Sequence, residues 1–398
     1  MPWLETDVRD QRIQFVMAAR RPGANVRALC EAFGISRKTG YKWLAREAAA
    51  GSVAALGDRS RRPHGSPART SAAVTARVLA LRDTFGWGGA KLAQLLAADG
   101  LSLAPRTIDR IIQREGRTRD RAVVGSAPQR FERAAPNDLW QMDAKGPYAL
   151  AAGGRCHPLS ILDDHSRFAV GLHPLPRLST EHVTPALRAC FERYGVPAAM
   201  LMDHGTPWWA SGSQDGLTRV SVALLQQGIR VIYGAIRHPQ TQGKVERFHR
   251  TLDERLRWDG VPTTWAGLVR ALAAFREEYN HVRPHAALGL RPPADRFVPS
   301  RHAYQPRPRP WVYPTGTLVR RIQANGIIRY AGQVRFVSEA LIGEHVALLP
   351  LGDRVLVQYR HMYVREWHLT GGRSVALLQP AYNDEWPADP LGPTGHPV

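Results

Sequence analysis

Cysteine is scarce. Only Cys30, Cys156 and Cys190 occur in 398 residues, and no two are close enough in sequence to form a chelating pair. This argues against a disulfide framework and against a thiolate zinc site of ordinary spacing. No run of 18 apolar residues occurs, so no membrane-spanning helix and no membrane partner is expected. The opening residues, Met1-Pro2-Trp3-Leu4-Glu5, lack the basic and apolar pattern of a secretory signal. The expectation is a cytoplasmic protein with reduced thiols. Acids are also short: 34 Asp and Glu stand against 54 Lys and Arg, a formal net charge of +20. The excess is concentrated in residues 1–135, which hold 24 basic and 12 acidic side chains. Such an imbalance favours polyanions through phosphate neutralisation and counterion release, although charge alone fits a merely basic protein equally well.

The first third reads as helices. Asp10 to Ala19 forms one, broken by Arg21-Pro22-Gly23. Asn25 caps a second, with Val26, Leu29, Cys30 and Phe33 at helical spacing before Gly34. Ser36 caps a third, Arg37 to Leu44. Two short helices joined through Phe33-Gly34-Ile35-Ser36 make a helix-turn-helix over 1–51, whose last helix offers Arg37, Lys38, Thr39 and Lys42 to DNA. Tyr41, Trp43 and Leu44 are expected to pack inward. Residues 52–70 are a basic Pro- and Gly-rich linker, its arginines either following a phosphate backbone or simply solvated. A second helix-turn-helix-like unit spans 71–116, with a last helix opened by Pro105 that carries Arg106, Arg110 and Arg114 along one face. Residues 117–135 connect it onward.

From 136 to 300, strand-length apolar runs come first and then alternate with helices, which implies a mixed sheet covered by helices. His157–Leu162 and Phe168–His173 form an antiparallel pair around Asp163-Asp164-His165-Ser166-Arg167. Residues 301–316 are an Arg- and Pro-rich linker. Six short strands separated by Asn325-Gly326, Leu351-Gly352-Asp353 and Gly371-Gly372 then predict a small β-barrel over 317–378. The tail, 379–398, has no apolar period and reads as disordered.

Five segments carry a resemblance. They are Trp140-Gln141-Met142-Asp143, Asp163 to Arg167, Met202-Asp203-His204-Gly205, His238 to Arg247 (HPQTQGKVER) and Tyr279 to His285 (YNHVRPH). In order and local context the chain resembles bacterial insertion-sequence transposases of the DDE type. Their catalytic core is similar to that of retroviral integrases and has a ribonuclease H-like fold. The resemblance spans about 136–295 and extends to the N-terminal helix-turn-helix units. The implied fold class is multidomain: all-α helix-turn-helix units, an α/β ribonuclease H-like integrase core and a C-terminal small β-barrel. Carried over residue by residue, Asp143, Asp203 and Glu246 become the catalytic and metal-binding triad. The spacing from Asp203 to Glu246 is longer than in the most compact integrase cores. Trp208 to Gly216 looks like the inserted length, a loop before the next helix.

The chemistry of these residue types agrees with that implication. Hard Mg²⁺ takes oxygen ligands and keeps waters, so three carboxylates and a phosphate suit it. Two ions roughly 3.5–4 Å apart serve in-line phosphoryl displacement, and Mn²⁺ is expected to substitute. Asp163, Asp164 and Asp215 read as turn or solvated acids. Lys244 near the start of the Glu246 helix and Arg250 four residues after Glu246 are candidate DNA contacts, an ion pair with Glu246 being the alternative for Arg250. His238 and Gln240 border the site. The implied partners are double-stranded DNA, both transposon ends and target, and further copies of the chain on that DNA. The implied activity is metal-dependent cleavage and strand transfer in the bacterial cytoplasm, associated with the nucleoid. A non-catalytic regulator and an RNA-cleaving nuclease on the same core are the rivals. The presence of all three acids opposes the first, and the tandem DNA-reading units oppose the second.

Overall fold

The computed structural model describes residues 7–59, 69–118, 132–210, 216–234 and 243–381. The chain divides into two compact units, Met1–Ser71 and Ala72–Val398.

The first unit holds α1 (Val8–Ala19), α2 (Val26–Ala32) and α3 (Arg37–Ala50). Their starts follow from capping chemistry. The Asn25 side chain accepts from the Arg27 and Ala28 N–H groups at 3.0 and 3.2 Å, and Ser36 Oγ accepts from Thr39 N–H at 3.2 Å. Phe15, Val16, Cys30, Trp43 and Leu56 form the core. Gly40 lets α3 approach: a Cβ there would lie 2.5 Å from Cys30 Sγ and 2.9 Å from the Phe15 ring. The exposed side of α3 presents Arg37, Lys38, Tyr41 and Lys42. Tyr41, expected inside, is 59% exposed, because only positions in register with Gly40 and Trp43 meet the other helices. The segment read as a linker from 52 begins with a 3-10 turn, Val53–Leu56, whose Leu56 is buried.

The second unit opens with α4 (Ala72–Phe85), α5 (Gly89–Ala98) and α6 (Pro105–Arg114), packed around Val78, Leu92, Leu96, Ile108, Ile111 and Ile112. Ile108, Ile111 and Ile112 fill one side of α6, which leaves Arg106, Arg110 and Arg114 exposed on the other.

Next comes a mixed sheet of β1 (Trp140–Ala144), β2 (Tyr148–Ala149), β3 (Arg155–Asp163), β4 (Ala169–Leu175), β5 (Ala199–Met202) and β6 (Arg230–Tyr233). Strand β4 pairs with β3, and the order then runs β3-β1-β5-β6 with β2 as a short addition to β3. Pairs β1·β5 and β5·β6 are parallel, whereas β1·β3 and β3·β4 are antiparallel. One face buries Trp140, Met142, Leu159 and Ile161 with residues of α7 (Thr180–Tyr194) and α8 (Arg219–Gln226). The other buries Leu162, Ala169 and Leu172 with residues of α9 (Gly243–Asp259) and α10 (Trp265–Glu277). Helix α10 runs into a π-helical turn, Glu278–Val282. There Asn280 is fully buried and pairs with the β4 backbone, accepting from Ala169 N–H at 2.7 Å and donating to its carbonyl at 3.0 Å. Part of the Tyr279–His285 segment thus completes hydrogen bonding at the edge of the sheet.

The last part of α9 holds the preceding helices. Trp258 Nε1 donates to the Asp83 carbonyl at 2.8 Å and Arg255 to the Thr84 carbonyl at 2.7 Å. Gly86 brings its backbone against the Trp258 ring, where a Cβ would lie 3.0 Å away.

The C-terminal strands are β7 (Leu318–Arg321), β8 (Ile327–Tyr330), β9 (Gln333–Phe336), β10 (His345–Leu351), β11 (Arg354–Tyr359), β12 (Met362–His368) and β13 (Ser374–Pro380). They correct the expected barrel. Five form an open antiparallel sheet, β13-β12-β11-β10-β7, and β8-β9 is a separate hairpin. No ladder among the described residues joins β7 to β13. The hairpin packs on the sheet instead: Arg365 Nε donates to the Val337 carbonyl at 2.6 Å and Trp367 Nε1 to the Phe336 carbonyl at 3.0 Å. Nor is this region separate from the core, because Val346, Val357 and Met362 join the same hydrophobic cluster as Trp140 and Met200. The Arg- and Pro-rich stretch before it is pinned, with Gln305 N–H on Gln227 Oε1 at 3.0 Å and Tyr313 OH on the His345 carbonyl at 2.9 Å. Strand β13 occupies the start of the segment read as a tail, and residues 382–398 lie outside the described residues. Among the described residues no helix is long and apolar enough to cross a membrane.

Candidate active site

Two of the three acids meet through strand register. Parallel pairing of β1 with β5 sets Trp140 opposite Met200 and Gln141 opposite Leu201, and the same offset carries Asp143 and Asp203 to neighbouring positions where the strands end. Asp203 is held in place, its Oδ1 accepting from Trp208 Nε1 at 2.7 Å and from Gly205 N–H at 3.0 Å. Trp208 is buried, and its carbonyl accepts the Tyr233 hydroxyl at 2.7 Å. The stretch read as an inserted loop therefore begins with a buttress for Asp203. An indole five residues beyond an acid at a strand end was the available signal.

Glu246 comes from the first turn of α9 and is exposed, while Val245 and Phe248 anchor the helix. Its charge reaches Asp143. Burial raises the Asp143 carboxyl from 3.8 to about 6, and the nearby charges of Asp203 and Glu246 add to the rise. Such a concentration of negative charge is what a divalent cation relieves, and the donors are the hard oxygens that Mg²⁺ prefers. Among the described residues, however, no three acidic, His or Cys groups close to ligating positions around one point. The donor set fits the ion. His249 borders it, with Nδ1 3.8 Å from Asp143 Oδ2, and burial lowers this imidazole to about 4, leaving it neutral.

Asp163 and Asp164, read as turn acids, are both fully buried. Asp163 accepts from Asn137 N–H and Ser166 N–H, each at 2.7 Å, and from the Ser166 hydroxyl. Asp164 accepts from Arg133 N–H and Gln141 Nε2, each at 2.8 Å, and is ion-paired with Lys244. These acids lock the entry to β1 against the β3–β4 turn. Lys244, a candidate DNA contact, is thereby committed inside the protein, and its half-buried ammonium ties the start of α9 to that turn. Arg250 is exposed and makes no ion pair with Glu246 among the described residues. Arg37, Lys38, Lys42, Arg106 and Arg110 are exposed, while Thr39 joins the Ser36 cap, its hydroxyl 2.9 Å from Ser36 Oγ. His238, Gln240 and Asp215 lie outside the described residues.

Comparison with known proteins adds independent findings. Models of an integrase core domain match residues 133–239 and 227–293. Models of a helix-turn-helix domain and a homeodomain-like domain match residues 11–64 and 39–112. The chain is similar to the insertion element IS476 uncharacterized 39.2 kDa protein of Xanthomonas euvesicatoria, 27% identical over 237 residues, which are 57% of this chain and 65% of that protein. It is also similar to the insertion element IS407 uncharacterized 31.7 kDa protein of Burkholderia multivorans, 26% identical over 240 residues, 58% of this chain and 82% of that protein. The match to the Xanthomonas relative thus spans just under two thirds of its length. Among solved structures, the simian T-cell lymphotropic virus intasome in complex with PP2A regulatory subunit B56 gamma matches 75% of this chain and 95% of its own at 14% identity, with a TM-score of 0.38.

Proposed function

We propose that this chain, which has the integrase core and helix-turn-helix domains of an insertion-sequence transposase, cuts the ends of its element and joins them to target DNA. The observation that carries the proposal is the register of β1 with β5, which sets Asp143 beside Asp203 within an integrase core. Asp143, Asp203 and Glu246 hold the metal, Mg²⁺ with Mn²⁺ as a substitute, two ions in all. When bound, such ions supply the positive charge that activates a water or a DNA 3′-hydroxyl and stabilises the departing oxygen. Trp208 and Gly205 orient Asp203, and Asp164 with Lys244 fixes the start of the helix that brings Glu246. Arg37, Lys38 and Lys42 on α3, Arg106 and Arg110 on α6, and Arg250 beside Glu246 bind phosphates or base edges of double-stranded DNA. No covalent protein–DNA intermediate is needed, because the nucleophile is a water or a DNA hydroxyl. Two element ends must be held together, so the active form is a multimer on DNA, working on cytoplasmic, nucleoid DNA.

The test is incubation of the full chain with labelled duplexes bearing the inverted repeats that flank its coding region. Cleavage and joining are expected with Mg²⁺ or Mn²⁺ and not with EDTA. Tight binding of the repeats without metal-dependent cutting would instead make the chain a regulator.

A further inference from the structure

His249 has no part in the chemistry above, yet it stands between the helix of one acid and the strand of another. It follows Glu246 by three residues on α9, so the two side chains leave neighbouring parts of the helix surface. Its Nε2 lies 2.9 Å from Ser160 Oγ, and its Nδ1 lies 3.8 Å from Asp143 Oδ2. Ser160 and Asp143 are register partners on β3 and β1, which puts both side chains on one face of the sheet. Ser160 is fully buried, and the His249 side chain is only 12% exposed. One imidazole therefore reaches from α9 to an adjacent strand pair and touches both of its facing residues. A buried serine flanked by Leu159, Ile161 and Leu162 has no packing purpose that an alanine would not serve.

We infer that His249 is a positioning residue, fixing the Asp143 carboxylate relative to the helix that carries Glu246. The Ser160 hydroxyl donates to Nε2, which leaves the ring proton on Nδ1, facing Asp143. At 3.8 Å the Nδ1 contact is longer than a hydrogen bond and places the ring beside the carboxylate it orients. The inference rests on the proposed reading of Asp143 and Glu246 as metal-holding acids. Outer partners of this kind orient ligating carboxylates and fix their basicity.

Two amides separate the two ring contacts. In His249→Asn the amide nitrogen takes the place of Nδ1 and loses reach to Ser160. In His249→Gln the amide oxygen takes the place of Nε2 and still accepts the Ser160 hydroxyl, while Asp143 loses its donor. Mn²⁺ titration of the full chain, followed by electron paramagnetic resonance of the free ion, reads the site without requiring turnover. Thermal unfolding of the metal-free proteins is the structural control. The midpoint for His249→Asn is expected within about threefold of wild type, and that for His249→Gln weaker by about tenfold or more. Metal-free stability should favour Gln or rank the two alike, opposite to the order of metal affinity. Equal weakening in both variants, or greater weakening in Asn, overturns the positioning role. Absence of Mn²⁺ uptake by wild type overturns the metal reading itself, and this inference with it.

Discussion

Replacing Asp203 by Asn tests whether the acids act on one another. The variant keeps an oxygen acceptor for Trp208 Nε1 and Gly205 N–H, so the local turn survives while a charge is removed. In wild type the Asp143 carboxyl is raised from 3.8 to about 6, with burial the first cause and Asp203 the second. A rise of that size corresponds to roughly 3 kcal/mol between protonation states, to which Asp203 contributes less than burial does. The sign follows from linkage. A carboxyl raised in the folded state binds protons more readily there, so its contribution is fully present below about pH 4 and lost as pH rises through about 6. Removing the Asp203 charge lessens that loss. Metal-free Asp203→Asn is therefore expected to be more stable than wild type at pH 7.5, by about 1 kcal/mol or about 2 °C in Tm, and equal to it at pH 4. Saturating Mg²⁺ should reverse the order, because only the intact site gains binding energy on folding. Thermal unfolding by circular dichroism, from pH 4 to 8 with EDTA or Mg²⁺, measures both effects. A metal-free variant less stable than wild type at pH 7.5, or a difference independent of pH, refutes the coupling.

Other expectations follow from the same contacts. Asp164→Ala strands Lys244, Gln141 and the Arg133 amide around a buried void, so urea unfolding should show a loss of about 3–5 kcal/mol. Gly40→Leu drives a side chain into Cys30 and Phe15 and should destabilise the first unit by about 1–3 kcal/mol, seen in unfolding of residues 1–71 within the full chain. Arg106→Ala with Arg110→Ala should weaken binding to the inverted-repeat duplex and flatten its log–log salt dependence by about 2, read by fluorescence anisotropy between low and moderate salt.

Much of this fold is written locally and so can be read from the sequence. Asn25 and Ser36 are capping residues whose partners lie two or three positions away, and Gly195 ends α7 where its N–H bonds back to the Phe191 carbonyl at 2.8 Å. The acids were recognisable because each sits in a distinctive short context. Long-range pairings leave no such mark. Asp163 and Asp164 have the composition of an exposed turn, and only the folded chain brings Asn137, Arg133 and Lys244 to them. Asn280 looks like an ordinary helix-end amide until Ala169, 111 residues away, meets it. Tyr41 was misplaced because an aromatic beside Trp43 resembles core, whereas helical rotation sends it outward. Regular strand spacing over 317–378 suggested closure, but closure depends on tilt and stagger, which spacing does not encode.

The central claim is that Asp143, Asp203 and Glu246 together form the metal-dependent strand-transfer site. Its most direct measurement compares Asp143→Asn, Asp203→Asn and Glu246→Gln, one at a time, in joining of pre-cut element ends to target DNA with Mn²⁺. All three variants should bind the ends as wild type does, by gel shift, and join them at background levels. Joining within twofold of wild type by any one of them would contradict the claim.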